Sequence, residues 1–304
     1  MEGGTDMKIF DELLNPVPEL FFEKSGEPED ADYLLFGAPL DRTASYRSGS
    51  RFAPNAIREV SQYMESYSVR TGLDWEDLKL VDIGDIAEVE EVGPTVEKIR
   101  RLVEEIKGSG KLPVMLGGEH TITLGALRAL CPAMVIVFDA HLDLRDTLFD
   151  ERLCHATYLR RAYEEQGFKL VIVAARALSA EEIEYAKEKC VTVVTAQDVK
   201  RFGIEPVQEM IKEALEGVES VYLSIDMDAV DPAEAPAVGN PSPEGIGVTQ
   251  LLDMIATAVD EHLVGFDLSE VSPNYDSGLT AIQAAYIVLE TLYLAERARR
   301  GSPS

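Results

Sequence analysis

The stretch VIVFDAHLDLRD, residues 135–146, changes character halfway along. Val135 to Phe138 are apolar and read as a strand buried on both faces, the pattern of a parallel sheet covered by helices. Asp139, His141 and Asp143 then follow at alternating positions where that strand should end, and alternation in an extended segment points side chains to one face. Working outward, further short apolar runs suited to strands occur at 33–37, 79–83, 112–116, 134–138, 169–175, 191–194, 221–225 and 263–267. Amphipathic helical patterns lie between them. PNAIREVSQYMES carries Pro54 in a first turn, PTVEKIRRLVEEIKGSG stops in glycines, and residues 279–299 form a long closing helix with basic residues in its last turn. Eight strands alternating with helices predict an α/β fold built on one doubly wound, mainly parallel sheet. No internal repeat or low-complexity linker divides the chain, so residues 1–304 are expected to form one domain, with residues 1–30 as an N-terminal arm that packs on the core or on a neighbouring subunit.

The 304 residues carry 28 basic and 55 acidic side chains, a formal charge of −27. A field of that sign repels phosphate backbones and anionic membrane surfaces and attracts cations, so neither nucleic acid nor membrane is an expected partner. No run of apolar residues is long enough for a membrane span. Three cysteines, Cys131, Cys154 and Cys190, show no paired spacing, which fits a reducing compartment. With no signal-peptide pattern at the start, the expected location is cytoplasmic.

In a doubly wound sheet, ligands sit beyond the carboxyl ends of the strands. Three such ends carry chemistry. After LPVML comes GGEHTITLGAL, with His120 opening a helix; after MVIVF come Asp139, His141 and Asp143; after VYLSI comes DMDAVDP, with Asp226 and Asp228 two apart. Each motif alone has a plain alternative, since strand-end carboxylates often cap the next helix. Together they place four carboxylates and two imidazoles on one sheet edge, where they would raise one another's pKa values unless cations were bound. Six mixed oxygen and nitrogen donors suit two hard or borderline divalent ions, manganese before zinc, and two ions can deprotonate a shared water.

GGEH, DAHLD and SIDMDAVDP, in this order and spacing, resemble the three signatures of the ureohydrolases, the arginase/agmatinase family. GAPLDRTASYRSGSRFAPNAIR (37–58) and GFDLSEVSPNYDSGLTAIQAA (265–285) look like the family's outer segments, so the resemblance runs from about residue 32 to the end. It implies a three-layer αβα, arginase-like fold with an eight-stranded, mainly parallel sheet and two Mn2+ per subunit. By position, His120 and Asp143 would bind one ion, His141 and Asp228 the other, and Asp139 and Asp226 would bridge them. The implied reaction is hydrolysis of a guanidinium group to urea and an amine. Glu270, in FDLSEVSPNYD, matches the residue that pairs with the substrate guanidinium, and a carboxylate suits that task because it accepts two parallel N–H bonds. His155 matches the family's proton-shuttling histidine, although CHAT stands where the family usually has glycine after the histidine. Cys154 beside it reads as a small buried filler.

Specificity is expected in the loop LRDTLFDERL, 144–153. Arg145 stands where arginases carry asparagine and no Ser-Gly-Asn run precedes His155, which disfavours arginine. Asp146, Asp150 and Glu151 could attract the distal ammonium of agmatine or of an aminopropyl-extended agmatine; Arg145, facing the pocket, would instead favour a guanidino acid such as guanidinobutyrate. The outer segments look most like agmatinases, so a small cationic guanidino substrate is the expectation, with putrescine or a related polyamine and urea as products. A formiminoglutamase, a deacetylase-like amide hydrolase with one zinc, and a non-catalytic metal-binding protein are the competing readings on the same scaffold. The family's trimers and hexamers imply a homo-oligomer.

Overall fold

The computed structural model describes residues 10, 12–87 and 91–301, so the expectation for the rest of the N-terminal arm, residues 1–9 and 11, lies outside them. In chain order the strands are β1 (Leu14–Asn15), β2 (Tyr33–Ala38), β3 (Leu80–Ile86), β4 (Leu112–Gly117), β5 (Met134–Phe138), β6 (Lys169–Ala175), β7 (Thr192–Thr195), β8 (Val221–Asp226) and β9 (Leu263–Ser269). They form one sheet in the order β1-β3-β2-β4-β9-β8-β5-β6-β7. Each of the eight predicted runs is one of the eight parallel strands. Among the described residues the sheet nevertheless has nine strands, because Leu14–Asn15 in the arm pairs antiparallel with Ile86 and Asp85. Two residues are too few for a periodicity to register in the sequence.

The helices are α1 (Ala53–Ser61), α2 (Val92–Gly108), α3 (Thr123–Leu130), α4 (Tyr158–Gln166), α5 (Ala180–Glu188), α6 (Ala196–Phe202), α7 (Glu205–Leu215), α8 (Val248–Ala258) and α9 (Leu279–Arg300). They cover both faces of the sheet. Val135 and Val137 of β5 pack with Ile99, Leu127 and Leu159 of α2, α3 and α4. Met134, Ile136 and Phe138 pack into the opposite core with Ile57, Leu251 and Val288 of α1, α8 and α9. With every side chain of β5 buried, the strand reads as a continuous apolar run. Among the described residues no helix is long and apolar enough to cross a membrane.

Strand order decides where the chemistry lies. The chain passes from β4 to β5 and leaves two places that β8 and β9 fill later, so β4, β9, β8 and β5 are consecutive neighbours. All four run the same way. Their carboxyl ends therefore form one edge at the middle of the sheet, where His120, Glu270, Asp226 and Asp139 leave it.

The arm is tied to this chain's own core. Leu13, Phe21 and Phe22 are buried, and the Phe21 N–H donates to Asp82 Oδ2 at 2.9 Å. Asp82 belongs to a buried ion cluster. Arg58 of α1, fully buried, donates from Nε to Asp82 Oδ2 at 2.7 Å, from Nη2 to Asp82 Oδ1 at 2.9 Å and from Nη1 to Asp85 Oδ1 at 2.5 Å. Its burial opposes the charge, and the two carboxylates outweigh that cost and hold the guanidinium protonated. Replacing Arg58 by Met should leave Asp82 and Asp85 facing each other unpaired. The expected loss is about 3–5 kcal/mol of unfolding free energy, measured by urea denaturation followed by circular dichroism.

Candidate metal centre

The ligand segments do not converge as alternating strands. β5 ends at Phe138, and the Asp139 N–H still donates into the ladder, to Val173 O at 2.9 Å. Beyond it the chain turns, and Asp143 adopts a left-handed conformation with φ 54°, one that aspartate tolerates better than most residues. In β8 the last residue is Asp226, Met227–Ala229 form a 3-10 turn, and the Asp228 N–H donates to Asp226 Oδ1 at 2.7 Å. Once off the sheet the backbone must curl for its carboxylates to meet, so the expected extended geometry gives way to turns. Neither glycine of GGEH has positive φ. A Cβ on Gly118 would lie 1.9 Å from Leu40 O, and one on Gly117 would lie 2.4 Å from Ile122 Cδ1. Close backbone approach, rather than an unusual dihedral, requires glycine there.

His120 occupies the centre of the cluster. Its Nε2 is 2.8 Å from Ser224 Oγ and 2.9 Å from the Tyr158 hydroxyl oxygen. Ser224 donates its own proton to Asp267 Oδ1 at 2.8 Å, so Nε2–H is the donor to Ser224. In the neutral ring, the form that binds a metal ion, Nδ1 then carries the lone pair. Among the described residues it is buried without a hydrogen-bond partner, yet Asp139 Oδ2, Asp226 Oδ2 and Asp143 Oδ2 stand 3.1, 3.2 and 3.4 Å away. Beside this group, His141 Nδ1 faces Asp228 Oδ2 at 2.9 Å and Asp139 Oδ1 at 3.4 Å. Asp139 thus presents one oxygen to each imidazole. Around an octahedral ion with ligands at about 2.1 Å, neighbouring donors sit roughly 3.0 Å apart, and lone pairs held at such distances without intervening protons fit a cation between them. The donor set, carboxylate oxygens and imidazole nitrogens with no thiolate, fits hard or borderline divalent ions.

Electrostatics point the same way. Burial, then the charge of Asp139, pushes the Asp143 carboxyl up to about 7. Burial, then Asp228 and Asp139, raises Asp226 well above the carboxylate range. Burial works on Asp139 too, but the imidazoles of His120 and His141, which are charged whenever no cation is bound, outweigh it and hold this carboxyl below its usual value. A cation removes the repulsion that otherwise drives protons onto the cluster. Arg176 braces one side of it: its guanidinium donates to Asp228 O at 2.7 Å and Ser242 O at 2.8 Å, fixing the turn that bears Asp228.

The remaining predicted residues separate. Glu270, just past β9, has φ 66°, and its Oε1 accepts the His120 N–H at 2.8 Å. Burial raises its carboxyl to about 8. A Cβ on Gly239 would lie 3.0 Å from its Oε2. His155 precedes α4 and shares a cavity of about 200 Å3 with His141, Asp143, Arg145, Ser45 and Asn240. Cys154 is buried, and burial raises its thiol. Arg145 lines the cavity, with Nη2 3.6 Å from Oε2 of the buried Glu182. The structure does not bring Asp146, Asp150 or Glu151 to that cavity. Asp146 pairs with Arg161 at 2.6 Å, Asp150 sits left-handed at the tip of a turn, and Glu151 exchanges backbone bonds with Leu148. Sequence reading passed over Ser224, Asp267, Tyr158, Arg176, Glu119 and Thr43. A signal existed for two of them: Ser224 and Asp267 are polar residues inside otherwise apolar strands, where burial demands partners.

The sequence model of the arginase family matches residues 31–293. The chain belongs to the arginase family. Its relatives include the N(1)-aminopropylagmatine ureohydrolase of Thermococcus kodakarensis, 38% identical over 270 residues that cover 88% of this chain and 91% of the other. The guanidinobutyrase of Pseudomonas aeruginosa is 34% identical over 302 residues, 95% of this chain and 94% of the other. Among solved structures, the agmatine ureohydrolase of Thermoplasma volcanium superposes with a TM-score of 0.87 at 36% identity, covering 93% of this chain and 96% of that one. This arginase-family protein is accordingly a hydrolase of guanidino C–N bonds on an α/β scaffold.

Two outcomes test the centre. Saturating Mn2+ should raise Tm by roughly 5 °C, since an ion that binds only the folded state stabilises it, and EDTA should reverse the shift in a thermal scan. Ser224→Ala, which removes one of the two hydroxyl partners of His120 Nε2, should weaken Mn2+ binding about 10–100-fold in calorimetric titration.

Proposed function

We propose that this protein hydrolyses the guanidinium group of agmatine, or of an aminopropylagmatine-type amine, to urea and a polyamine such as putrescine. The observation that carries the proposal is the pair of imidazole–carboxylate groups sharing Asp139 beside a small cavity. His120, Asp143, His141 and Asp228, together with Asp139 and Asp226, would hold two Mn2+ ions. When bound, such an ion pair supplies hydroxide at neutral pH from water. A guanidinium is resonance-stabilised and fully protonated, so plain water is a poor nucleophile towards it.

The chain's own residues do the rest. Glu270 is the partner for the substrate guanidinium, accepting its N–H donors and aligning the carbon. Its position against the His120 backbone, at 2.8 Å, ties that alignment to the ligand segment. His155 delivers a proton to the nitrogen that leaves as amine. Burial, partly offset by the charge of Glu119, lowers the pKa of its ring, so the proton is readily given up. Leu148 and Ala177 line the cavity with apolar surface for a methylene chain, and Asn240 and Ser45, hydrogen-bonded at 3.0 Å, offer acceptors for a distal ammonium. Glu182 meets the charge of Arg145. The relatives named for agmatine and aminopropylagmatine support the same substrate class.

One observation favours a second reading. Among the described residues the Arg145 guanidinium donates no hydrogen bond, and its ion pair with Glu182 is long at 3.6 Å. Its free donors would suit the carboxylate of a guanidino acid. Urea release from agmatine, aminopropylagmatine, arginine and guanidinobutyrate separates the two: the highest kcat/KM is expected on one of the amines, and preference for guanidinobutyrate would transfer the tail site to Arg145. Asp139→Asn should lower urea formation at least about 100-fold and reduce bound manganese below two per chain, with the circular dichroism spectrum unchanged.

A further inference from the structure

Thr43 lies in the segment between β2 and α1. Its hydroxyl donates to Glu119 Oε1 at 2.7 Å, and its oxygen lies 3.1 Å from His155 Nδ1. The same oxygen accepts the backbone N–H of His155 at 3.2 Å. Glu119 is 1% exposed and receives three more bonds: from the N–H of Arg42 at 2.5 Å, from the N–H of Thr43 at 2.7 Å and from the Thr121 hydroxyl at 2.6 Å. Every one of these is donated to it, so both of its oxygens act as acceptors.

That arrangement dictates the order of protons. A hydroxyl has one hydrogen, and that of Thr43 is committed to Glu119, so towards the ring Thr43 Oγ1 acts only as an acceptor. His155 Nδ1 must therefore carry hydrogen. In the neutral ring the lone pair then falls on Nε2, and protonation and deprotonation occur at that nitrogen alone.

We infer that Thr43 and Glu119 are positioning residues that hold His155 in its Nδ1–H form, so that Nε2 is the single nitrogen that passes a proton to the leaving amine. The inference rests on the role given to His155 above. In the step, the C–N bond breaks with its electron pair going to the amine nitrogen, and that nitrogen takes the Nε2 proton. The ring returns to the neutral Nδ1–H form and is recharged by a proton from the water whose oxygen has been added to the carbon.

The sign of the pH effect follows from the surroundings of the ring. Burial depresses the pKa of His155, and the charge of Glu119 is the largest influence opposing it. Cutting the link at Thr43 leaves the imidazolium less supported, so the alkaline limb of kcat moves to lower pH. Thr43→Val is close in volume and lacks only the hydroxyl; Thr43→Ser keeps it.

The test combines kinetics with a direct reading of the ring. The chain has four histidines, so 15N-histidine labelling of the Zn2+-loaded protein yields a small set of ring signals, with His155 assigned by its absence in His155→Asn. The expected result is an Nδ1–H ring in the parent protein. Thr43→Val should lose roughly 10-fold or more in kcat on the best guanidino substrate, with KM and bound metal within about twofold, the alkaline limb moved down and Thr43→Ser restoring most of the rate. An Nε2–H ring in the parent protein would overturn the inference. So would a Thr43→Val variant with unchanged rate and pH profile while His155→Asn is impaired, an outcome that leaves the role of His155 standing. If His155→Asn keeps the parent rate, the reading of His155 fails and the inference falls with it.

Discussion

Four carboxylates, Asp139, Asp143, Asp226 and Asp228, are buried against two imidazoles at one edge of the sheet, each no more than 5% exposed. Left to themselves they repel, and burial together with the charge of Asp139 pushes the Asp143 carboxyl up to about 7. Such a cluster is tolerable when cations share it. Much of the surrounding structure answers this constraint: strands that end together, turns that curl ligands inward, and hydrogen bonds that decide which imidazole nitrogen faces the carboxylates.

The support is arranged in chains of donors that end on buried carboxylates. Asp267 accepts from Ser224, Tyr222 and Thr123, and Ser224 in turn orients His120. Glu119 accepts from Thr43, which contacts His155. Both chains end on an acid whose oxygens accept from the donors around it, and each reaches an imidazole two bonds away. Arg176 works differently, as a cation among carbonyl oxygens, close enough to the acidic cluster to feel its field and bonded to the turn that displays Asp228. Membership of the arginase family gives this arrangement its chemical context, and a cavity of about 200 Å3 opens beside His141 and His155.

Some of this was legible in the chain and some was not. The eight parallel strands could be read because burial on both faces demands unbroken apolar runs, which need no knowledge of neighbours. The two-residue strand at Leu14 escaped because two residues are too few to show a periodicity. The six candidate ligand positions stood out as polar residues at strand ends, but their conformation did not: alternation suggested an extended segment, whereas Asp143 is left-handed and Asp228 lies in a 3-10 turn. The acids of the 144–153 loop attracted attention through charge alone, and charge cannot reveal that Asp146 is engaged by Arg161 on the outer surface.

The amino-acid sequence by itself determined the class of fold, the parallel course of the strands and the identity of the residues gathered at their carboxyl ends, because hydrophobic runs and motif spacing are properties of near neighbours. Only the tertiary structure decided which strands stand side by side, and hence that Ser224 meets a histidine 104 residues away and Thr43 one 112 residues away. Those contacts depend on the order in which β8 and β9 enter the sheet. Strand order is set by the packing of the whole core, so no local pattern records which imidazole nitrogen carries the proton or which carboxylate neutralises Arg145.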